Sequence, residues 1–267
     1  IGNTQIKIGI WSENGLIKCS KCNQKNFRKV IGKYKSTNFE QVVYVSVVSN
    51  HLENSINNYL KKTFCIKPVR IKSSSSLLGV KNGYKYPSRL GDDRWWSIVG
   101  SYNLFKKPLI LVDCGTAISI DCVDSKARHH GGYILSGFDG YRSSFDQAYH
   151  LKNIKDYKIK KFTKTSIAKD TNQAIISGYI MMVNTIVERT YKDFSAKIKI
   201  KPIIIVTGSY GKEILSYSSL KLKHEPDLVL KSIGLISDKL WMLSYKFMLT
   251  LHKQWFSNSY LTIRLFS

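Results

Sequence analysis

The sequence predicts an α/β protein made of two similar halves with a nucleotide between them, and three observations carry that expectation. Residues 109–121 read Leu-Ile-Leu-Val-Asp-Cys-Gly-Thr-Ala-Ile-Ser-Ile-Asp. Four apolar β-formers run into Asp113, Cys114-Gly115-Thr116 make a tight turn, and Ile118 and Ile120 alternate with polar residues. This is the pattern of a buried strand, a turn that glycine permits and a second strand. The turn suits phosphate: Gly115 lets backbone N–H groups close on an anion, and Thr116 adds a hydroxyl. Asp113, at the strand end, is placed to hold a cation or its water shell. Taken alone, the stretch is equally an ordinary hairpin with a turn glycine. The chain's start supplies a second copy, Ile1-Gly2-Asn3-Thr4, followed by Ile6, Ile8 and Ile10 alternating with polar residues. The third observation is the alternation of strand and helix patterns between the two copies, as in an α/β domain.

Taken in order, residues 6–11 continue the first hairpin, and Asn14-Gly15 is a turn signal. Residues 23–35 are polar and Lys-rich, a surface helix or loop. The β-former run at 42–48 reads as a buried strand, and Leu52, Ile56 and Leu60 recur at helical spacing. Val69 and Ile71 mark another strand before the serines at 73–76. Pro87 and Gly91 shape a loop, after which Asp93 opens an apolar helix through Phe105; an Asp there is most simply a cap. Residues 139–151 would be a helix with Phe145, Ala148 and Leu151 on one face. Thr171 starts a long helix with Ile175, Tyr179, Met182 and Ile186 at core spacing. Residues 203–206 are a buried strand ending in Thr207-Gly208-Ser209. Leu240, Leu243, Phe247 and Leu251 could form an amphipathic helix, and residues 258–267 have no clear role. The expected division is a first domain at 1–107, a second at 108–236 and a tail at 237–267.

At 267 residues, with 43% hydrophobic and 12% aromatic residues, the chain is long and apolar enough to bury a sizeable core. Its formal net charge of +24 comes from 42 basic and 18 acidic residues. The excess is mostly Lys scattered along the chain, so specific nucleic-acid recognition is not expected, although the charge draws anionic substrates. Five cysteines without a framework spacing favour a reducing compartment. Cys19-Ser-Lys-Cys22 is half of a zinc site with no second pair or nearby His to complete it. Charges interrupt every apolar run short of the about 18 residues a membrane helix needs, so a cytoplasmic protein without membrane contact is expected. The His129-His130 pair precedes Gly131-Gly132 and reads as an exposed loop.

The two Gly/Thr hairpins resemble those of the superfamily of acetate kinase, hexokinase, heat-shock chaperones and actin. That resemblance implies duplicated ribonuclease H-like domains with a nucleotide cleft. Within it, Tyr84-x-x-Pro87-x-x-Leu90-Gly91-x-Asp93-Arg94, directly before the second hairpin, closely resembles type III pantothenate kinase and is not shared by sugar kinases or chaperones. Gly131-Gly132-Tyr-Ile-Leu-Ser136-Gly137 is similar to the family's Gly-Gly-x-Ile-x-Pro-Gly segment, with Ser136 in place of Pro. Thr207-Gly208-Ser209 stands where the family has Thr-Gly-Gly, and Pro226–Leu230 is similar to its closing segment. The resemblance covers residues 1 to about 235.

The resemblance implies transfer of the ATP γ-phosphoryl group to the primary alcohol of pantothenate, the first step of coenzyme A synthesis. Such transfer depends on positioning and charge neutralisation. By family position Asp93 would be the base, with Tyr84, Gly91, Asp92, Asp93, Arg94 and Thr171 around pantothenate. Arg94 equally suits a structural ion pair, Tyr84 a packed loop aromatic and Thr171 a helix cap. Ile1, Gly2, Asn3, Thr4, Gln5, Ile6, Lys7 and Thr116 would meet ATP, and Asp113 would hold a monovalent cation. The implied cofactors are ATP, Mg²⁺ and K⁺ (or NH₄⁺), and the implied assembly is a homodimer. The alternatives are a non-catalytic transcriptional accessory regulator of the same family and a kinase of the superfamily with another acceptor. The family has an Asp just before the position of Ile1, so a chain expressed from Ile1 is expected to bind ATP–Mg²⁺ weakly.

Overall fold

The computed structural model describes residues 1, 6–12, 15–146 and 167–235. The Gly2–Thr4 turn, the end of the helix expected at 139–151 and the tail helix lie outside the described residues. The chain divides into two units: Ile1–Ser74 with Ser88–Gly100 and the segment from Val229, and Ser75–Pro87 with Ser101–Leu228.

The first unit opens on an antiparallel hairpin of β1 (Ile6–Ser12) and β2 (Gly15–Cys22), closed by the Ser12–Gly15 pair where the Asn-Gly signal falls. The Lys-rich stretch forms a one-turn helix, capped by the Asn23 side chain, and then α1 (Phe27–Gly32). β3 (Val43–Tyr44), α2 (Asn50–Phe64) and β4 (Val69–Arg70) follow, with β3 and β4 parallel. The strand expected at 42–48 is cut to two residues as a ladder with β4. Beyond it the backbone pairs with the chain's start: Ile1 N donates to Val45 O at 2.6 Å, and Val47 N donates to Ile1 O at 3.1 Å. That bond pattern is parallel, so Ile1 lies alongside the segment that follows β3. Ile56 and Leu60 of α2 reach the same apolar cluster as Ile6, Phe27 and Ile31, as their spacing requires.

In the second unit a small hairpin, β5 (Ser76–Leu77) and β6 (Val80–Lys81), precedes the main sheet. α3 (Asp92–Phe105) carries the division between the units, between Gly100 and Ser101. The main sheet uses β7 (Leu109–Cys114), β8 (Ala117–Val123), β9 (His129–Ser136), β10 (Ile203–Gly208) and β11 (Leu222–His224). Its order is β11-β10-β7-β8-β9, with β7, β8 and β9 an antiparallel meander and β10 and β11 parallel to β7. α4 (Phe138–Ser143) and the long α5 (Thr171–Ile198) connect β9 to β10, and α6 (Gly211–Leu215) connects β10 to β11. Ile110, Val112, Ile118, Ile120, Ile204 and Val206 form one face, packed with Ile176, Tyr179, Ile180, Val183 and Val187 of α5. Leu109, Leu111 and Val123, on the other face, are also fully buried, which is why β7 reads as an unbroken apolar run. Both units thus follow one plan of hairpin, helix, parallel strand, helix and parallel strand, the duplicated ribonuclease H-like architecture.

Cys114 and Cys122 lie in this sheet, and burial pushes both thiols up to about 12. Cys19 and Cys22 sit three apart on β2 and therefore face opposite sides of the hairpin, which separates the two thiols of the Cys-x-x-Cys.

Truncating the central core should be costly. Ile120→Ala, in a side chain fully buried between sheet and α5, is expected to lose about 2–5 kcal/mol. A urea titration checks this as a lowered midpoint with an unchanged slope.

Candidate active site

The loop Leu90–Asp93 and the first turn of α3 are fixed by a chain of charges within the first unit. Asp92 Oδ1 accepts the Ser73 backbone N–H at 2.7 Å, and its Oδ2 lies 3.4 Å from Arg70 Nη2. Arg70 continues to Glu53 Oε1 at 3.0 Å, and the same Glu53 oxygen accepts the Tyr44 hydroxyl at 3.2 Å. The Glu53 carboxylate is almost completely buried, so a cation within hydrogen-bond reach offsets a large desolvation cost. Burial, and behind it the Glu53 charge, pushes the Tyr44 phenol up, keeping it a donor. Asp92 is therefore occupied in holding β4 and the following loop to the start of α3.

Asp93, next in sequence, is half-buried, and its Oδ1 accepts the Arg94 N–H at 2.7 Å. Gly91 O accepts from Trp95 N at 2.9 Å, and a Cβ on Gly91 would lie 3.1 Å from the Asp93 carboxylate. The loop is thus drawn in around that carboxylate, which sits on the positive end of α3. Trp95, Trp96, Ile98 and Val99 are buried behind it and anchor the helix.

In the second unit the β7–β8 turn is where the sequence predicts it. Gly115 N donates to Ala117 O at 3.0 Å, and Gly115 and Thr116 are exposed. Gly137 closes on this turn: its N–H donates to Thr116 O at 3.1 Å, and a Cβ there would run into the Gly115 and Thr116 carbonyls. Gly208 (φ +92°) closes on the other side, where a Cβ would strike the Cys114 backbone. Tyr179 of α5 donates its hydroxyl to Ser136 O at 3.1 Å, and burial raises that phenol, so the bond holds the residue before Gly137. The substitutions at Ser136 and Ser209 leave these glycine contacts intact.

Asp113 is opposite Ser119 on β8 and Thr207 on β10. Residues in register across a sheet share a face, so a carboxylate and two hydroxyls stand in one row at the mouth of the turn. Such a set of oxygen donors suits a hard cation. Among the described residues no cluster of three or more His, Cys, Asp or Glu could hold a metal.

Thr171 is the exposed first residue of α5, and the cap is Asp170, whose side chain accepts the Gln173 N–H at 2.9 Å; the cap reading of Thr171 is corrected, because the residue one earlier holds the extended backbone a cap needs. Ile6 is a core side chain on β1, and Lys7 stands opposite Lys21 across the hairpin. Gly2, Asn3, Thr4 and Gln5 lie outside the described residues. Tyr84, half-buried after β6, stacks on His129 with ring centroids 5.9 Å apart and planes 15° from parallel. The reading of His129 as exposed loop is wrong: it is the first residue of β9, buried and bonded to Asp121 at 2.9 Å. The apolar-polar pattern hid this, because a pleat that turns a His inward looks the same in sequence as one that turns it out.

Among solved structures the fold is shared with a Campylobacter jejuni protein described as a Baf family transcriptional activator (TM-score 0.58, 18% identity, 89% of this chain and 94% of that one). It is also shared with a Sinorhizobium meliloti protein described as a 2-dehydro-3-deoxygalactonokinase (TM-score 0.54, 8% identity, 98% of this chain and 97% of that one). At those identities the likeness concerns the fold alone. The model of the type III pantothenate kinase family matches residues 1–193, and a type III pantothenate kinase from a Sulfurihydrogenibium species is 27% identical over 246 residues, 87% of this chain and 95% of that one. The chain belongs to the type III pantothenate kinase family. It is a kinase, and its reaction is the ATP-dependent phosphorylation of pantothenate in coenzyme A biosynthesis.

The Glu53–Arg70–Asp92 chain predicts an energetic coupling. Arg70→Met should cost about 1–3 kcal/mol by leaving a buried carboxylate without its cation. Adding Glu53→Gln should recover part of that loss, and thermal melts of the single and double variants measure the coupling.

Proposed function

We propose that Asp93 is the general base of this kinase, accepting the proton of the pantothenate primary alcohol as that oxygen attacks the γ-phosphorus of ATP. The observation that carries the reading is the Gly91–Asp93 loop drawn around a half-buried carboxylate at the head of α3, with the family's motif in register along it. The carboxylate stands on the positive end of α3, and as the acceptor of the hydroxyl proton it would act as a general base. Arg94, beside it, suits the pantothenate carboxylate or a phosphoryl oxygen, and Tyr84, Gly91 and Thr171 complete the acceptor site. Asp92 supports that site from behind through Ser73 and Arg70.

The Gly115–Thr116 turn would meet the ATP phosphates with backbone N–H groups and the Thr116 hydroxyl. Ile1, Gly2, Asn3, Thr4, Gln5, Ile6 and Lys7 would do the same from the first hairpin. Asp113, with the Ser119 and Thr207 hydroxyls in register, would hold K⁺ or NH₄⁺, and Mg²⁺ would come with the ATP phosphates. Bound there, the cations would neutralise charge on the transferring phosphoryl group. A homodimer is supported by β9, an edge strand that leaves Tyr133 and Ile134 exposed and open to pairing. The protein would work in the cytoplasm; no helix among the described residues is long and apolar enough to cross a membrane.

A coupled assay for pantothenate- and ATP-dependent ADP release tests this reading. Asp93→Asn keeps an oxygen for the Arg94 N–H and should melt like the parent, while kcat falls by about 10²–10⁴. Turnover near that of the parent would show that Asp93 is only a helix-start residue. Replacing K⁺ by Na⁺ should slow the parent and leave Asp113→Ala, already slow, unaffected; a parent indifferent to K⁺ would remove the cation role.

A further inference from the structure

We propose that His129 and Asp121 form a buried positioning pair that sets the pantothenate-side loop carrying Tyr84. The inference rests on the reading of Tyr84 as a pantothenate contact and adds the groups that hold it in place.

The loop's main chain is built onto β9 and its approach. Lys81 N donates to Ala127 O at 2.9 Å, and Gly83 N donates to His129 Nδ1 at 3.4 Å. Since Nδ1 accepts, the ring proton is assigned to Nε2, which donates to Asp121 Oδ1 at 2.9 Å. Both side chains are fully buried. A carboxylate and an imidazole are expensive to bury for packing alone, since an apolar pair of similar volume would serve at least as well. What the polar pair adds is direction: Asp121 fixes the tautomer and ring plane, and the fixed ring offers one acceptor and one flat face outward. The acceptor takes the Gly83 N–H and the face carries the Tyr84 ring. Gly83 lies so close that a Cβ there would collide with the His129 carbonyl, so the seat admits only the bare backbone. Asn82 turns the chain above it, its side chain accepting the Tyr84 N–H at 3.0 Å and lying 3.5 Å from Pro87 O. Gly83, Tyr84 and the approach to the Pro87 turn are thereby referenced to one buried ring.

A positioning role predicts a selective defect. His129→Phe keeps a ring of similar size for Tyr84 to stack on but removes both hydrogen bonds. It should raise the pantothenate KM, and the Kd from calorimetric titration, roughly tenfold, while ATP KM and kcat move by less than about twofold. Asp121→Asn, which keeps an oxygen acceptor, should fall between the two. In a Tyr84→Ala background, itself raised in pantothenate KM, adding His129→Phe should change pantothenate KM no further. Equal effects of His129→Phe in both backgrounds, or an ATP KM rising in step, would overturn the proposal in favour of general packing. A Tyr84→Ala variant with unchanged pantothenate KM would instead sink the reading of Tyr84, and the positioning role with it. The parent protein gives a check that needs no variant: the Gly83 amide should exchange with deuterium markedly more slowly than its exposed neighbour Lys85, and equal rates would mean that the His129 seat does not hold the loop.

Discussion

The pairing of β7 with β8 on one side and β10 on the other is the constraint from which the second unit follows. A strand with partners on both edges and apolar cover on both faces has no freedom of register, because a slip of one residue would turn its buried side chains outward. That register puts Thr207, Asp113 and Ser119 in one row and ends all three strands where the chain has to turn. The turn itself is shaped by backbone touching backbone. Gly137 lies on the Gly115 and Thr116 carbonyls, and Gly208 lies on Cys114. Neither approach survives a Cβ, which ties the ends of β9 and β10 to the same few atoms.

The first unit solves a different problem, that of holding a carboxylate at a helix start beside other acids. Glu53, Asp92 and Asp93 are brought to one region, and Arg70 is the cation that lets two of them stay there. The arrangement separates duties between adjacent residues. Asp92 is spent on Ser73 and Arg70, while Asp93 accepts the amide of the next residue. Two acids side by side in sequence thus have unlike surroundings, as the proposed division between a structural Asp92 and a chemical Asp93 requires.

Both regions place reactive groups on rigid elements and leave the adaptable parts to loops. α3 is anchored by two buried tryptophans, and β7 by neighbours on every side. The Tyr84 loop rests on the buried His129–Asp121 pair beneath it. Phosphoryl transfer asks for this rigidity, since its catalysis lies in positioning and charge more than in covalent chemistry.

Local pattern alone determined much of this protein. The apolar run into Asp113, the Gly-Thr turn, the helical spacing of Leu52, Ile56 and Leu60 and the long helix from Thr171 all appear where period and turn chemistry put them. The motif from Tyr84 to Arg94 was enough to name the family, because it is a string of backbone-shaping and polar residues with few other uses. The tertiary structure decided what depends on partners distant in sequence. The strand at 42–48 shortened because its continuation pairs with Ile1 and not with β4. The cap of α5 moved to Asp170 because backbone conformation, which residue type does not specify, selects the cap. His129 turned inward because its partners, Asp121 and Gly83, come from two other segments of the chain. Periodicity reports which face a residue is on; only the packed chain decides what that face meets.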